Sequence, residues 1–462
     1  MASQSETSTR SIAGHDLDRS AIPLLITLAL GVFAGALDLG VLSPALPALA
    51  RGFGVQTSDL AWVFTLYLLV TVASIAVAST LADRYGRRPV YIACVSLFAL
   101  GSLVAITAPS YGIFLLARAL QALGAGGIFP VATAAIADVV PPRRRGAALG
   151  MVAAMWGLAA VIGPTFGGVI THFVSWRWIF ILNFPLAALV IWLARQYVPS
   201  SAPRVRGPLD VVGLVLLCLG LLLLMAGLTE TRAVTMIAGV VVLGGFVLWE
   251  RVAAAPIVPL SLFTTPQLAR TYALEILIGI LEGSLFFIPT VLVGAQQLSY
   301  AVAGLVAALG ALMFVLVIPV SGRMLDRIGS RDVLLIGTIL TEIGLAIFAL
   351  GFSSLPLALL AMVVAGAGFG SLLGAPTRYI VTNETGPRVR ATAVGLLSQA
   401  LIVGQIIGGS LAGGVIGSSV NELDGYRHAY LAFCAVALVA LALSATLKSR
   451  ATERTAPLEE VA

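Results

Sequence analysis

Six charged residues sit inside long apolar runs of this sequence: Asp38, Arg118, Glu275, Glu282, Glu342 and Arg378. At the centre of a membrane helix such a charge costs about 2.5–3.5 kcal/mol, so each needs a reason to be there. A shielded carboxylate can hold a proton and release it when water arrives, which makes the four acidic residues candidates for proton binding. Glu275 and Glu282 are seven residues apart and share a helix face, which leaves a cavity role open for both. Glu275 and Arg378 lie near the ends of their runs, and Glu342 serves a packing role equally well. No other chemistry assembles. His15, His172 and His428 fall in a polar tail or near run ends with no nucleophile around them, which argues against an enzyme. Cys94, Cys218 and Cys434 show neither a disulfide framework nor metal-ligand spacing. A Gly-x-x-x-x-Gly-Lys nucleotide loop is excluded, because the sole lysine, Lys448, follows Leu447.

The elements that hold these charges are apolar helices. Of the 462 residues, 59% are hydrophobic and 10% charged, with mean hydropathy +1.03. A soluble domain carries about 25% charged residues. Apolar runs of roughly 17 to 28 residues are long enough to cross a bilayer. Without two-residue alternation they read as helices, not barrel strands. Spans are predicted at 21–48, 58–81, 90–108, 111–135, 147–172, 179–197, 211–228, 233–249, 269–293, 300–321, 333–352, 356–381, 391–417 and 428–447, fourteen in all. The stretch from Ala21 is too long for a signal-peptide core and counts as the first span. Between the two spans at 211–249, Thr229 to Arg232 leaves room only for a tight turn.

Basic residues alternate between loops. With the N-terminus in the cytoplasm, 21 Lys and Arg fall inside and only Arg51, Arg177, Arg232 and Arg427 outside. The positive-inside rule then puts both termini in the cytoplasm. Topology thus explains the net charge of +6 and pI near 9.5, and no nucleic-acid role is needed.

The chain also repeats itself at an offset of 243 to 245 residues. Leu81-Ala82-Asp83-Arg84-Tyr85-Gly86-Arg87-Arg88 aligns with Met324-Leu325-Asp326-Arg327-Ile328-Gly329-Ser330-Arg331. Arg143-Arg144-Arg145 with Gly150, Gly163 and Gly168 aligns with Arg388-Val389-Arg390 with Gly395, Gly408 and Gly413. The organisation that follows is a tail over 1–20, a six-helix half over 21–200, and a linker with two extra helices over 201–267. A second six-helix half covers 268–449, and a tail 450–462. Asp38 and Glu282, separated by 244, occupy matching places on the first spans of the halves.

Two parallel six-helix repeats are the architecture of major facilitator transporters, and the motifs resemble that superfamily. Ser79 to Arg88 resembles its loop between helices 2 and 3, with Ser79 where Gly is usual. That resemblance implies a conformational latch of Asp83, Arg84, Gly86, Arg87 and Arg88 with Asp138, repeated at Asp326, Arg327, Gly329 and Arg331, which holds the outward-facing state. The bland alternative is a basic loop that merely fixes orientation. Gly163-Pro164-Thr165-Phe166-Gly167-Gly168 resembles the antiporter motif G-P-x-x-G-G, whose Pro bends the helix and whose small residues admit a close neighbour. Leu37 to Pro47 resembles the first-span signature of drug/proton antiporters, with Gly40 in place of Thr. Arg118-Ala119-Leu120-Gln121 resembles the fourth-span motif R-x-x-q. Asp210, Trp249-Glu250-Arg251 and Trp176-Arg177-Trp178 with Phe180 and Asn183 resemble the fourteen-helix EmrB/QacA-like exporters.

The resemblance implies an all-α membrane protein of the major facilitator fold, with a hairpin inserted between the repeats. It further implies a multi-pass protein of the bacterial inner membrane, working as a monomer among membrane lipids. Its expected activity is proton-coupled export of small lipophilic or amphipathic molecules, with protons as the coupling ion and no other cofactor. Asp38 and Glu282 would bind protons, and Arg118 would tune Asp38 or satisfy first-span carbonyls. Asp38 and Glu282 could instead stabilise helix breaks beside Gly40 and Gly283. Lipid or glycolipid export is the alternative within transport, and a non-transporting sensor or scaffold the alternative of another class.

Overall fold

The computed structural model describes residues 22–140, 142–200, 210–254, 256–385 and 390–450. Arg388 lies outside these residues, as do the side chains of Arg143, Arg144, Arg145 and Arg390. Among the described residues there is no strand, and fourteen helical spans are long and apolar enough to cross a membrane.

The first half begins with α1 (Ile22–Leu42) and α2 (Leu46–Phe53), a single span interrupted by a 3-10 turn at Ser43–Ala45. It continues with α3 (Ala61–Tyr85), α4 (Arg87–Thr107), α5 (Tyr111–Val139) and α6 (Pro142–Phe173), and closes with α7 (Arg177–Ile181) and α8 (Asn183–Tyr197). The inserted hairpin is α9 (Val211–Thr229) and α10 (Ala233–Glu250). The second half repeats the pattern. Helices α11 (Pro266–Gly283) and α12 (Ile288–Gln296) flank a 3-10 turn at Ser284–Phe287, followed by α13 (Tyr300–Ile328) and α14 (Ser330–Gly351). Helices α15 (Leu355–Leu372) and α16 (Pro376–Glu384) make one broken span, and α17 (Arg390–Ser418) and α18 (Glu422–Ala445) complete the half.

Several helices outrun the apolar segments that announce them. Helix α18 begins at Glu422, six residues before its apolar run at 428, and α13 continues to Ile328 rather than stopping at 321. Hydropathy reports the slab a helix crosses, whereas capping decides where it starts. Asn421 accepts a hydrogen bond from the Leu423 amide at 3.1 Å and starts α18 among charged residues.

The α3–α4 and α13–α14 corners need the same backbone. Gly86 has φ +95° and Gly329 φ +91°, a region that side-chain-bearing residues rarely adopt. The repeated glycines are therefore accounted for by the turn itself.

Glycine also sets helix spacing. A Cβ on Gly163 would approach Gly40 to 2.8 Å, and one on Gly167 would collide with the Val41 carbonyl, so α6 presses directly on α1. In the second half Gly404 and Gly408 bring α17 against the Ile276 and Ile280 carbonyls of α11.

Contacts between the halves cluster at the end opposite the arginine-rich loops. Gly168 of α6 meets the Tyr300 carbonyl, and Gly304 of α13 meets the Pro164 carbonyl. Phe64 stacks on Phe286 with centroids 4.4 Å apart. The Ser43 hydroxyl donates to the Phe286 carbonyl at 2.8 Å, and the Thr57 hydroxyl to Glu422 at 2.8 Å. The far end is thus closed in this conformation.

The hairpin lies across that seam. Leu217, Leu221 and Met225 of α9 pack in one apolar cluster with Tyr67, Leu68 and Val72 of α3 and Ile406 of α17. At its base Asp210 caps α9 by accepting from the Gly213 amide at 2.8 Å, and it receives the Trp249 indole N–H at 2.9 Å. Glu250 accepts from the Val258 amide at 3.0 Å. The Asp210 and Trp249-Glu250 pattern is therefore the clasp that holds the two added helices together.

Candidate transport site

Asp38 sits on α1 one turn before the Ser43–Ala45 break, with its side chain fully buried. Arg118 of α5, also with no exposed side-chain surface, places Nη1 2.5 Å from Asp38 Oδ2. The same nitrogen donates to Gln121 Oε1 at 2.7 Å. Gln121 Nε2 donates to Asp38 Oδ1 at 3.1 Å and to Ser102 Oγ of α4 at 2.8 Å. Asn183, the first residue of α8, donates to Asp38 Oδ1 at 3.2 Å and to Ser102 Oγ at 2.9 Å. The guanidinium lies over the Tyr67 ring of α3, 4.2 Å from its centroid, and Nη2 finds no acceptor.

Five helices thus converge on one carboxylate. Buried charge is tolerated when it is paired and its remaining hydrogen-bonding capacity is used, and Asp38 receives three donors. The arrangement differs from a carboxylate lining an open central cavity, because the pair is sealed inside the first half in this conformation. In this conformation the carboxylate and the guanidinium are both shut off from solvent.

Glu282 has other surroundings. It ends α11 beside Gly283 and the second 3-10 turn, is half-buried, and accepts one hydrogen bond, from Gln405 Nε2 of α17 at 2.8 Å. Four residues on is Phe286, which stacks on Phe64. Four residues after Gln405 is Gly409, where a Cβ would meet Thr65 of α3 at 2.8 Å. Glu282 and Gln405 therefore lie one helical turn beneath the closure between the halves. The repeat explains why Glu282 has no arginine: the places of Arg118, Gln121 and Ser102 are taken by Met362, Ala365 and Leu345.

The loop residues assemble in part. Arg87 is 2.6 Å from Asp83 and 3.3 Å from Asp138, while Arg88 donates to the Val198 carbonyl. All of these contacts stay within the first half, and none bridges to the second. In the second copy, Arg450 donates to the backbone carbonyls of Asp326 and Arg327, and Arg331 pairs with Asp332 at 3.1 Å. The ion-pair chain is not repeated there among the described residues. The antiporter-like motif divides its glycines: Gly163 and Gly167 face α1, Gly168 faces the other half, and Pro164 lends its carbonyl to the contact with Gly304.

Sequence reasoning missed Ser102 and did not connect Asn183 with Asp38. Asn183 stood within a noted pattern. Ser102 gave no signal, since a serine in a span routinely bonds its own helix, as this one does to the Phe98 carbonyl at 3.0 Å.

Fourteen apolar spans in two matching six-helix sets plus a hairpin, with charged side chains buried among them, point to a polytopic membrane transporter, and the comparisons with known proteins agree. The chain belongs to the Major Facilitator Superfamily, whose sequence profile matches residues 28–264 and 274–461. It is 31% identical over 417 residues to the uncharacterized MFS-type transporter YfiU of Bacillus subtilis, covering 85% of this chain and 79% of that one. It is 30% identical over 413 residues to the multidrug resistance protein Stp of Mycobacterium tuberculosis, covering 87% and 76%. Among solved structures, a bacterial homolog of the human lysosomal transporter Spinster superposes with TM-score 0.69 at 17% identity, covering 96% of this chain and 100% of that one. The nucleoside transporter NupG gives TM-score 0.68 at 15% identity, covering 92% and 100%. The chain is a transporter and not an enzyme.

Proposed function

We propose that this transporter is a proton-coupled exporter of lipophilic and amphipathic compounds, working by alternating access. The observation that carries the coupling is the sealed Asp38–Arg118 pair with its three polar supports. Relatives named multidrug resistance proteins support the direction and the substrate class. The arginine-rich end faces the cytoplasm of a bacterial inner membrane, so the far-end closure corresponds to an inward-facing state. A proton arriving from outside converts Asp38 to its neutral form and frees Arg118, and substrate binding reverses the step. One pH unit supplies about 1.4 kcal/mol and 100 mV about 2.3 kcal/mol per charge. Together they sustain a gradient of a neutral substrate of roughly a few hundred-fold per proton. Arg87, held here by Asp83 and Asp138, is released toward the second half when the far end opens, and latches the outward-facing state. The chain acts as a monomer and needs no cofactor beyond protons.

The test is Asp38→Asn in proteoliposomes, screened with fluorescent dyes and lipids under an imposed pH gradient. The amide keeps the size and most hydrogen bonds but cannot exchange a proton. Loss of uphill transport with retained downhill exchange is expected. Uphill rates equal to the parent's would remove Asp38 from the coupling step, and lipid but no dye movement would redirect the substrate class.

A further inference from the structure

One buried carboxylate is left unused by this mechanism. Glu275 lies on α11 seven residues before Glu282, about 10 Å of helix rise toward the arginine-rich end and on the same face. It is 5% exposed, and its Oε2 has no hydrogen-bond partner. Its neighbours are Thr377 and Arg378 of α16, and Glu282 on its own helix. From α17, Gln405 reaches Glu282. From α18, Tyr430 is engaged with the Ser284 carbonyl, and Lys448 beyond it pairs with Glu384 at 2.5 Å. Tyr272, one turn away on α11, is bonded to the Ala393 carbonyl. Arg378 is therefore the one cation beside Glu275 among the described residues. It is exposed and lines a recess of about 370 Å³ with Tyr379, Thr382 and Asn383 against the end of α13.

A structural tie to Thr377 would need one oxygen only, and a neutral side chain would serve. A carboxyl group with an orphan oxygen is the costly choice, since an unsatisfied buried polar atom loses about 1–3 kcal/mol. The position gains meaning as a station between Glu282, beneath the closure between the halves, and solvent at Arg378.

We propose that Glu275 is the proton-release site of the second half, taking the proton from Glu282 and passing it to water in the recess beside Arg378. This rests on the proton-coupled reading above. The proton leaves the Glu282 carboxyl, which returns to carboxylate, and Glu275 becomes the carboxyl. Glu275 then gives the proton to a water molecule in the recess, and no electrons move. Arg378 favours the second step because a neighbouring positive charge stabilises the carboxylate that remains.

The experiment uses the full chain in lipid vesicles with ethidium as the transported dye. Infrared spectra of the carboxyl C=O region are recorded from acid to alkaline pH, alongside pH-driven ethidium uptake. Glu275→Gln is expected to remove one titrating carboxyl band and to slow uphill uptake as much as Glu282→Gln does, while ethidium counterflow persists. Arg378→Gln, at an exposed position that folding tolerates, is expected to move that band's midpoint and the pH profile of uptake about one unit higher. An unchanged carboxyl spectrum in Glu275→Gln, or uphill uptake at the parent rate, overturns the proposal even while the parent is proton-driven. A folding failure of Glu275→Gln leaves the decision to Arg378→Gln, where an unmoved midpoint overturns it. If the parent itself shows no pH-driven uptake, the proton-coupled reading fails, and this site fails with it.

Discussion

The first spans of the two halves carry a carboxylate at matching places, Asp38 and Glu282, in opposite surroundings. Asp38 is enclosed by polar side chains from α4, α5 and α8 and capped by the Tyr67 ring, with an arginine at 2.5 Å. Glu282 holds a single glutamine at 2.8 Å and remains half-buried at the seam. In the second half the corresponding positions are Met362, Leu345 and Ala365, all in the apolar core. Internal symmetry places a residue, and its partners decide what it can do. One half holds its charge rigidly, while the other leaves its carboxylate where motion between the halves reaches it.

The strongest way to break this contrast is Arg118→Met, which installs in the first half the residue type that Met362 supplies in the second. Asp38 would keep its burial but lose its cation, and Gln121 would lose a donor. Removing one partner of a buried pair costs about 3–5 kcal/mol. Thermal unfolding in detergent should show this as a large fall in Tm. The double variant Asp38→Asn/Arg118→Met should regain a good part of it, because the uncompensated charge is gone. Equal stability of parent and Arg118→Met would show that the pair is not the keystone of the first half.

Much of the comparison was legible in the sequence. Fourteen spans follow from hydropathy because a slab of lipid imposes length and apolarity on each, and the described residues hold the same number. The repeat could be read from Asp83, Gly86, Asp326 and Gly329, since few charges and a turn that demands glycine leave little room for coincidence. Asp38, Arg118 and Glu282 stood out through the cost of charge in an apolar run. What the sequence hid was company. Asp38 and Glu282 look alike along the chain, and the difference lies in side chains 64 to 145 residues away from Asp38 that only folding brings in. Ser102 shows the limit most clearly, because a serine within a span has an innocent use in nearly every helix.

A second test separates what the halves share from what they do not. Both press their fifth span onto their first through glycine, α6 at Gly163 and Gly167 and α17 at Gly404 and Gly408. At Gly167, Gly404 and Gly408 the atom in the way of a side chain is a backbone carbonyl, and at Gly163 it is the Gly40 backbone; neither can swing aside as a flexible side chain would. Gly167→Ala and Gly408→Ala should each cost about 1–3 kcal/mol by overpacking, read as similar falls in Tm. If only Gly167→Ala destabilised the protein, the asymmetry would extend beyond the charged residues to the packing that carries them.

The smallest expected effect on stability is the one that bears most on mechanism. Glu282→Gln preserves the shape of the side chain and leaves an oxygen to accept the Gln405 amide, so the hydrogen bond seen at 2.8 Å survives. No cation has to be left behind, because none is paired with Glu282 among the described residues. A change within about 1 kcal/mol is expected, the scale of a single neutral hydrogen bond. Transport should respond out of proportion, since the variant can no longer take up a proton one turn beneath the Phe64–Phe286 closure. The expected result is near-parental Tm with slower pH-driven export, the slowing being less than for Asp38→Asn because the sealed pair in the first half still cycles. Measuring both quantities on the same preparation decides the matter. A large fall in Tm would make Glu282 a structural tie across α11 and α17, and unchanged export would leave Asp38 as the one carboxylate of the pair that does the coupling.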